Sequence, residues 1–576
     1  MDAFFISNLK NAINISDSSN KKLIKFNSLI ITDKLVIYNY LKKKDYKRVI
    51  CLDDKFLGFK RKKFFIQNYS YFDKLLLRIG NKHKIKIERI FLNSIYNTFS
   101  CDLPRLYAGT KFILSSLDAV ILKNKVKKLI YFNDLEHEFL SKSFYQKIFE
   151  YYTKKKKIKF HIYESKNHES KLLLNIIKKI LKIRFIFQEF SFDNLIFRIK
   201  KNLLNINFLG IKSNIILEPA HDLNYSNFNF RNTKFLNCDT SFQETYDTTC
   251  LEEEKFKNSN FKSLDDIFIS YVLNINSSFK DYTAKIYRFL KKKINLKNVE
   301  NIYWGQSPSY LTRNLIIFLK KKYKVYGTQH GGSYFLTDKD IVHKNSDYFF
   351  CDYFLSYGTS NFFKKKKYLN NTKLINIGSL KEPYLSKITK SSSKNNQNLL
   401  YIPINLNHFF KPNFQSSQTE RFKDQIEICK ILNNKKYFKS YVKVLPGSFY
   451  KNIIFNLYNF ETNPIYFEIE KFKNLKINYN TIHTAVKKIM PKVVICDFFS
   501  TPAYELAKSE IEIILMIDKT NPVKKDVIKV LKKRFHIINS PKQINSILKK
   551  IYFNNFKKKN DEFFDLFYKH KINFRI

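Results

Sequence analysis

Long uncharged apolar runs are missing from this sequence of 576 residues. No window approaches the roughly 20 apolar residues that a helix needs to span a bilayer, so we expect any membrane association to be peripheral. The first residues, MDAFFISNLKNAINIS, contain an apolar stretch that is too short for a secretory signal. We therefore expect a cytoplasmic protein, either free or peripheral on the inner face of the cytoplasmic membrane.

Paired cysteines and mixed cysteine–histidine clusters are also missing. The chain has seven cysteines, and none of them forms a Cys-x-x-Cys motif or lies beside a histidine cluster. This pattern excludes the disulfide framework of a small secreted domain and the usual structural zinc sites. Reduced thiols are the expectation.

Acidic residues are few relative to basic ones, with 50 Asp and Glu against 104 Lys and Arg and a formal charge of +54. Such a charge attracts nucleic acid, acidic lipid head groups or phosphate-bearing substrates. The excess is mostly Lys and accompanies many Asn, Ile, Phe and Tyr residues, a bias typical of an AT-rich genome. Because no Arg-rich, Gly-aromatic RNA-binding signature is present, nucleic acid is the least favoured of these partners.

What is present is enough apolar material for large cores, with 44% hydrophobic and 16% aromatic residues. A chain of this length predicts more than one domain. Short strand-like runs alternate with amphipathic helical segments, as in RVICLDD (48–54), KKLIYFND (127–134) and IKFHIYES (158–165). This alternation predicts an α/β protein whose parallel sheets are covered by helices.

The same pattern divides the chain into two unequal halves. We predict an N-terminal α/β domain over residues 1–370. It contains a helical insertion over about 171–295, with helices at 171–203 and 262–293 and an irregular acidic segment at 222–260. A C-terminal α/β domain is predicted over 371–555, with a helix around 418–433 and apolar strands at 492–498 and 512–517. Residues 556–576 are expected to form a tail helix.

Glycine is scarce, and its distribution is uneven. Six of the eleven glycines lie between residues 305 and 378, about one eighth of the chain. Glycine is needed where φ is positive or where the backbone closely approaches another group. In a composition that otherwise avoids glycine, these positions are predicted to need it.

The first candidate loop is VYGTQHGGSYF (325–335), which follows a predicted strand in a βαβ unit. Ligands of open α/β sheets bind outside the carboxyl ends of the strands, where exposed N–H groups accept phosphate or carboxylate oxygens. We therefore predict that His330, Gly331 and Gly332 line a ligand site, although a simple turn is the alternative.

The second candidate loop is ICDFFSTPAYELAKS (495–509). Thr501 fits the N-cap of a helix and Pro502 its first turn, which would leave N–H groups free to bind a phosphate. The hydroxyls of Ser500 and Thr501 add donors, and Glu505 is placed to accept from ribose hydroxyls. The alternative is an ordinary capped helix.

The combination of GTQHGGSY, DYFLSYG, NIGS and CDFFSTPAYELAKSEIEIILM resembles the GT-B-like transferases of bacterial surface-polysaccharide assembly. The nearest likeness is the O-antigen transferase family with a Gln-His-Gly-Gly signature. The capsule Kdo transferases and CDP-glycerol glycerophosphotransferases are more distant. The resemblance covers about residues 300–520 and is faint before residue 300.

This resemblance implies two Rossmann-like domains that face a cleft, with a nucleotide-activated donor held mainly by the C-terminal domain. It implies no metal and no cofactor. His330 matches the histidine of the His-Gly loop, and Ser500, Thr501 and Glu505 match the donor-phosphate and ribose loop. One departure is Leu445 in KVLPGSF, where the glycerophosphotransferases carry a second histidine, so a mechanism with two histidines is not supported.

The chemistry expected of such a site is group transfer from a nucleotide-activated sugar to a lipid-linked or polysaccharide acceptor in cell-envelope biogenesis. His330 is the candidate base, or alternatively it binds a donor phosphate. Lys443 is a candidate phosphate contact, although a surface role is the alternative. The neighbouring residues expected to support the two loops are Gln329, Asp497, Gly378 and Ser379.

Two other classes of function stay open. The first is a nucleotide-sugar epimerase or hydrolase of the same fold, which would turn over the donor without an acceptor. The second is a non-enzymatic basic protein that binds nucleic acid.

Overall fold

The structure, a computed structural model, describes the chain in segments. The described residues are 1–16, 24–25, 27–55, 58–87, 90–132, 142–163, 213–217, 233–236, 256, 259–274, 299–304, 310–329, 334–336, 341–357, 369, 371–378, 397–404, 406, 417–434, 437–443, 464–480, 482–499, 501–507, 509–517, 523–554 and 563.

The first sheet is parallel and has the strand order β3-β2-β1-β6-β7. Its strands are β1 (Asp2–Phe5), β2 (Leu29–Thr32), β3 (Val49–Cys51), β6 (Lys128–Phe132) and β7 (Lys159–Tyr163). The hairpin β4 (Ile85–Ile87) and β5 (Ile90–Leu92) is separate and antiparallel. The helices of this part are α1 (Leu9–Ser16), α2 (Leu35–Lys43), α3 (Gly58–Lys82), α4 (Ser94–Phe99), α5 (Leu103–Asn124) and α6 (Lys142–Lys155).

The second sheet is also parallel, in the order β13-β12-β11-β10-β8-β9. Its strands are β8 (Ser213–Leu217), β9 (Thr233–Leu236), β10 (Val299–Trp304), β11 (Lys324–Thr328), β12 (Tyr353–Ser356) and β13 (Lys373–Asn376). Helices α7 (Tyr310–Lys320) and α8 (Ile341–Ser346) lie between strands of this sheet along the chain. If these strands are numbered 1 to 6 along the chain, their spatial order in the sheet is 2-1-3-4-5-6. This is a flavodoxin-like arrangement with one additional strand.

The third sheet is parallel, in the order β16-β15-β14-β17-β18-β19. Its strands are β14 (Asn398–Ile402), β15 (Lys439–Lys443), β16 (Leu475–Asn478), β17 (Val493–Cys496), β18 (Glu512–Met516) and β19 (His536–Ile538). If these strands are numbered 1 to 6 along the chain, their spatial order in the sheet is 3-2-1-4-5-6. This is the order of a dinucleotide-binding Rossmann sheet. Its helices are α9 (Gln418–Asn433), α10 (Ile465–Glu468), α11 (Ile482–Ile489), α12 (Thr501–Leu506), α13 (Lys525–Arg534) and α14 (Ile544–Asn554).

The composition of the central strands explains why they lie inside helical layers. Every residue of β17, VVIC, and of β18, EIILM, is buried. Strands covered on both faces need side chains that are apolar in succession rather than in alternation. These two segments have them except at Glu512, which pairs with His536 at 2.7 Å. Helix α9 begins at a capping box in which Ser417 and Glu420 bond each other's backbone N–H groups.

The predicted α/β class with parallel sheets is confirmed. Two details differ from the sequence interpretation. Strand β9 lies inside the segment 222–260 that was expected to be irregular, and it pairs with β8. Strand β13, expected in the C-terminal domain, instead pairs with β12 and extends the second sheet. A parallel strand is placed by backbone hydrogen bonds with its neighbour, which residue composition does not specify.

Strands within residues 2–163 form a separate sheet. The sequence predicts a single N-terminal domain up to residue 370 and does not indicate this additional sheet. The first and second sheets share a single apolar core, in which the side chains of α3 and α5 pack with those of α7 and β10. The predicted helix at 171–203 and the tail at 556–576 lie outside the described residues, except for Phe563.

Candidate functional site

The first candidate loop leaves the second sheet at the carboxyl end of β11, as the sequence predicts. Thr328, the last residue of that strand, donates its hydroxyl to the backbone oxygen of Trp304 at 2.9 Å. His330, Gly331 and Gly332 follow Gln329 and lie outside the described residues. The described residues nearest to them along the chain are Gln329 on one side and Tyr334 on the other.

Gln329 is held by backbone contacts with the neighbouring strand. Its N–H donates to the oxygen of Leu355 at 2.9 Å, and its side-chain oxygen accepts from the N–H of Tyr357 at 2.9 Å. The side chain is buried. Gln329, the residue that precedes His330, therefore joins the ends of β11 and β12.

Two of the clustered glycines have physical explanations in the structure. A Cβ on Gly327 would lie 2.6 Å from Cζ2 of Trp304, so a side chain there would collide with the indole. Gly378 has a φ of 78°, a left-handed conformation that favours glycine, and its N–H donates to Oδ1 of Asn376 at 3.3 Å. Gly327 is thus required for packing. Ser379, the next residue after Gly378, lies outside the described residues.

Asp497 directly follows β17 and is buried in a hydrogen-bond network. Its carboxylate accepts from the N–H of Ile404 at 2.7 Å, the hydroxyl of Tyr401 at 3.1 Å and the amide of Gln425 at 2.9 Å. Burial raises the pKa of this carboxyl above its usual range. These partners connect the ends of β14 and β17 to α9, so Asp497 is a supporting residue of the sheet edge.

The position of Asp497 is significant because of the strand order. Strands β14 and β17 are neighbours whose chain connections leave in opposite directions, which makes their carboxyl ends the topological switch point of the third sheet. Ligands of doubly wound sheets bind outside this point. The second candidate loop continues from Asp497 through Phe498 and Phe499 to α12.

The helix of the second candidate loop is short. It spans Thr501–Leu506, so Thr501 is its first residue and not its N-cap, and Ser500 lies outside the described residues. A helix of this length offers only a small dipole. Any anion at this end would therefore depend on hydroxyl and N–H groups more than on the helix dipole.

Glu505 lies one turn into this helix, and its side chain is 12% exposed. Its Oε2 lies 3.8 Å from Nε2 of His483, which is on α11 and half exposed. The sequence alone gave no reason to connect these two residues. Their proximity places a glutamate and a histidine side by side next to the second candidate loop.

Lys443 is the last residue of β15, and its side chain is largely buried. Burial lowers its pKa from 10.5 to about 8. Because burying an ammonium group is costly, this lysine differs physically from the solvated lysines on the surface of the chain. It stands at the carboxyl edge of the third sheet, on the strand next to β14.

The carboxyl edges of the second and third sheets meet. Leu336, four residues after Gly332, packs in one apolar cluster with Phe499. In the same cluster, the ring of Tyr357 stacks on that of Tyr504, with 5.1 Å between ring centroids. The residues that flank the two candidate loops are therefore brought together.

Lys524 adds a polar connection at the same junction. Its N–H donates to the oxygen of Leu336 at 3.0 Å, and its ammonium donates to the oxygen of Phe335 at 3.2 Å. Phe335 has a φ of 61°, which is unfavourable for an aromatic residue. Backbone strain of this kind persists only where the surroundings hold it, and here Lys524 contributes to that support.

The first sheet contacts the third through α9. Asp53, which follows β3, is paired with Arg61 and accepts from the N–H of Thr419 at 3.2 Å. Two residues further along α9, Arg421 donates to the backbone oxygen of Asp497 at 2.7 Å. Thus the start of α9 lies between the carboxyl edge of the first sheet and the switch point of the third.

Several of these supporting residues were not predicted, namely Tyr357, Tyr504, Lys524, Arg421 and Gln425. The signals available in the sequence were weak, because each is a common residue in a helix or at a strand end. Within the described part of the chain, no group of three or more His, Cys, Asp or Glu residues is arranged to hold a metal ion. Nor does any helix in that part have the length and hydropathy to cross a membrane.

No protein-family model matches the chain, and no curated protein sequence matches it either. Among solved structures, the UDP-GlcNAc 2-epimerase of Methanocaldococcus jannaschii, in complex with UDP-GlcNAc and UDP, aligns over 60% of this chain and 93% of its own, with 13% identity and a TM-score of 0.35. The UDP-GlcNAc 2-epimerase of Neisseria meningitidis, bound to UDP-GlcNAc, aligns over 60% and 92%, with 8% identity and a TM-score of 0.33. These values describe a remote likeness and establish no function for this chain.

Proposed function

We propose that the protein is a transferase that moves a sugar, or a related polyol phosphate group, from a nucleotide-activated donor to a lipid-linked or polysaccharide acceptor. The observation that supports this most is the junction of Tyr357 with Tyr504. It brings the flanks of the two loops that resemble surface-polysaccharide transferases to one place. A cytoplasmic location, with peripheral attachment to the membrane, is part of the proposal.

In this proposal the donor phosphates lie between the two loops, against the backbone of Gly331 and Gly332 and the hydroxyls of Ser500 and Thr501. Lys443 supplies positive charge from the neighbouring strand. Its lowered pKa supports this role, because a phosphate beside a buried ammonium recovers part of the cost of burying the charge.

Glu505 is proposed to accept hydrogen bonds from the ribose of the donor. Its small exposed fraction suits a residue that contacts a ligand and is otherwise covered. His330 is proposed to deprotonate the acceptor hydroxyl, since imidazole titrates near neutral pH. The leaving nucleotide would be stabilised by the backbone and hydroxyl donors of both loops.

The first test is thermal stabilisation by CMP-, CDP-, UDP-, GDP- and dTDP-sugars. A ligand at 100 times its Kd stabilises the folded state by about 2.7 kcal/mol, so at least one donor should raise Tm measurably. The Lys443→Met variant should lose most of this shift. Lys439→Met, at the exposed opposite end of the same strand, is the matched control and should keep it.

The second test separates transfer from the other reactions of a nucleotide-sugar enzyme. With the stabilising donor, His330→Ala should abolish turnover and retain the Tm shift. Turnover of the donor without any acceptor would contradict the transferase and favour an epimerase or hydrolase. If no nucleotide sugar changes Tm, the proposal as a whole is wrong.

A further inference from the structure

An aromatic and basic surface lies at the edge of the third sheet that is opposite the candidate site. Tyr437 directly precedes Phe438 and β15, and it is 47% exposed. Its ring lies 4.9 Å from that of Tyr552 and 5.8 Å from that of Phe553, at the end of α14. Phe553 is 63% exposed. These rings contact one another and are only partly covered.

The charged residues that neighbour these rings along the chain are all basic. Lys439 at the start of β15, and Lys549 and Lys550 on α14, are exposed. The sequence contains no Asp or Glu from residue 428 to 460 or from 527 to 560. Both chain segments that form this surface are therefore free of acidic residues. We call it the amino-edge surface, and it consists of Tyr437, Lys439, Lys549, Lys550, Tyr552 and Phe553.

We infer that the amino-edge surface binds an anionic lipid bilayer. Exposed aromatic rings insert at the boundary between head groups and acyl chains, and adjacent lysines attract anionic lipids at about 1 kcal/mol each. Water-exposed Phe and Tyr side chains gain from this burial. Charge complementarity favours a bilayer over a second copy of the chain, because two copies of this surface would bring their lysines together.

The amino-edge surface would provide the peripheral membrane attachment that is part of the proposed function. Membrane binding by this surface does not require the proposed reaction. If both hold, the bilayer contacts one end of β15 and the donor site lies near Lys443 at the other. Five residues of extended strand span roughly 17 Å. The acceptor hydroxyl would then lie well away from the bilayer surface, as at the far end of a lengthening glycan.

The test is co-sedimentation of the full chain with vesicles of phosphatidylcholine alone and with about 30% phosphatidylglycerol (~0.1 M salt). A chain with a charge of +54 is expected to have some general affinity for anionic vesicles, so the informative measurement is the difference between matched variants. The double variant Tyr437→Ser, Phe553→Ser should bind anionic vesicles about tenfold more weakly than the unaltered chain. Lys549→Ala with Lys550→Ala should weaken binding about thirtyfold, which corresponds to about 1 kcal/mol for each lysine.

The matched control lies on the first part of the chain. Phe91, in the hairpin that follows α3, is 62% exposed, and the ammonium of the exposed Lys86 lies 5.6 Å from its ring centroid. Lys84, two residues before Lys86 along the chain, is also exposed. Phe91→Ser, and Lys84→Ala with Lys86→Ala, should change vesicle binding by less than about twofold, since each removes a similar group from another surface.

Equal losses from the two surfaces would overturn the inference, because they would show that only total charge matters. Unchanged binding in the Tyr437→Ser, Phe553→Ser pair would also overturn it. A third outcome would also overturn it: the unaltered chain does not bind vesicles but forms a concentration-dependent dimer, and the Tyr437→Ser, Phe553→Ser double variant is monomeric. Because vesicle binding and nucleotide stabilisation are separate measurements, either proposal can fail without the other.

Discussion

The ring of Tyr357, which follows β12 in the second sheet, stacks on the ring of Tyr504 in α12 of the third sheet, with planes 19° apart. Both side chains are fully buried. The contact joins two segments that are 147 residues apart in sequence, as the residue numbers show. It places the ends of two parallel sheets against each other at the edge where such sheets bind ligands.

The first prediction concerns this stacked pair. Tyr357→Leu and Tyr504→Leu should each destabilise the protein, and a double-mutant cycle should give a coupling energy of about 0.5–1.5 kcal/mol. Denaturant unfolding of the four proteins measures it. A coupling near zero would mean that the two rings do not support each other, and the junction would lose its main contact.

The second prediction concerns pH and Lys443. Because its pKa in the folded protein is about 8, below the ordinary 10.5, the unfolded chain binds this proton more tightly between those values. Stability therefore rises as pH increases through that window and is reduced at pH 7, by at most about 3 kcal/mol.

Lys443→Met should accordingly raise the denaturation midpoint at about pH 7 and have little effect near pH 10.5, above which the lysine is neutral in both states. Denaturant unfolding across this range tests it. The control, Lys439→Met, replaces an exposed lysine of the same strand and should change the free energy of unfolding by less than about 0.5 kcal/mol. Equal effects of the two substitutions would contradict the burial of Lys443.

The third prediction separates a supporting role of Gln329 from a ligand-binding one. Gln329→Leu keeps the approximate size of the side chain but removes the acceptor of the Tyr357 N–H. An unpaired buried N–H costs about 1–3 kcal/mol, so unfolding should become easier by that amount. Unchanged stability combined with weaker nucleotide binding would instead assign Gln329 to the ligand site.

The fourth prediction concerns the close approach of Gly327 to Trp304. Gly327→Ala should destabilise the protein by about 1–3 kcal/mol, because the added methyl group overlaps the indole. Trp304→Phe makes room, so the double variant should lose less than the sum of the single losses. Additive losses, measured by thermal and denaturant unfolding, would show that the glycine is needed for another reason.

Much of the local structure follows from the sequence because apolar periodicity and capping residues act over short distances. The helix predicted at 418–433 is found as Gln418–Asn433, where Ser417 and Glu420 form the capping box. Strand β17 was evident from its apolar residues. For the same reason Thr501 was placed only one position away from its observed role, as the first residue of α12.

Other features depended on partners that are distant in sequence. Strand β13 belongs to the second sheet because its backbone bonds with β12, and a separate sheet over residues 2–163 exists because β1 pairs with β6. The sequence marks Asp497 only as a neighbour that supports the second loop. Its place in the hydrogen-bond network depends on Tyr401, Ile404 and Gln425, which surround its carboxylate.

The sequence by itself therefore determined the α/β class, the main strands and helices, and the two loops that follow parallel strands. Periodicity and turn chemistry are local properties, and each residue carries them wherever the chain goes. Only the tertiary structure decided which sheet each strand joins and how deeply Lys443 and Asp497 are buried. Those outcomes depend on packing between distant segments, which no local pattern encodes.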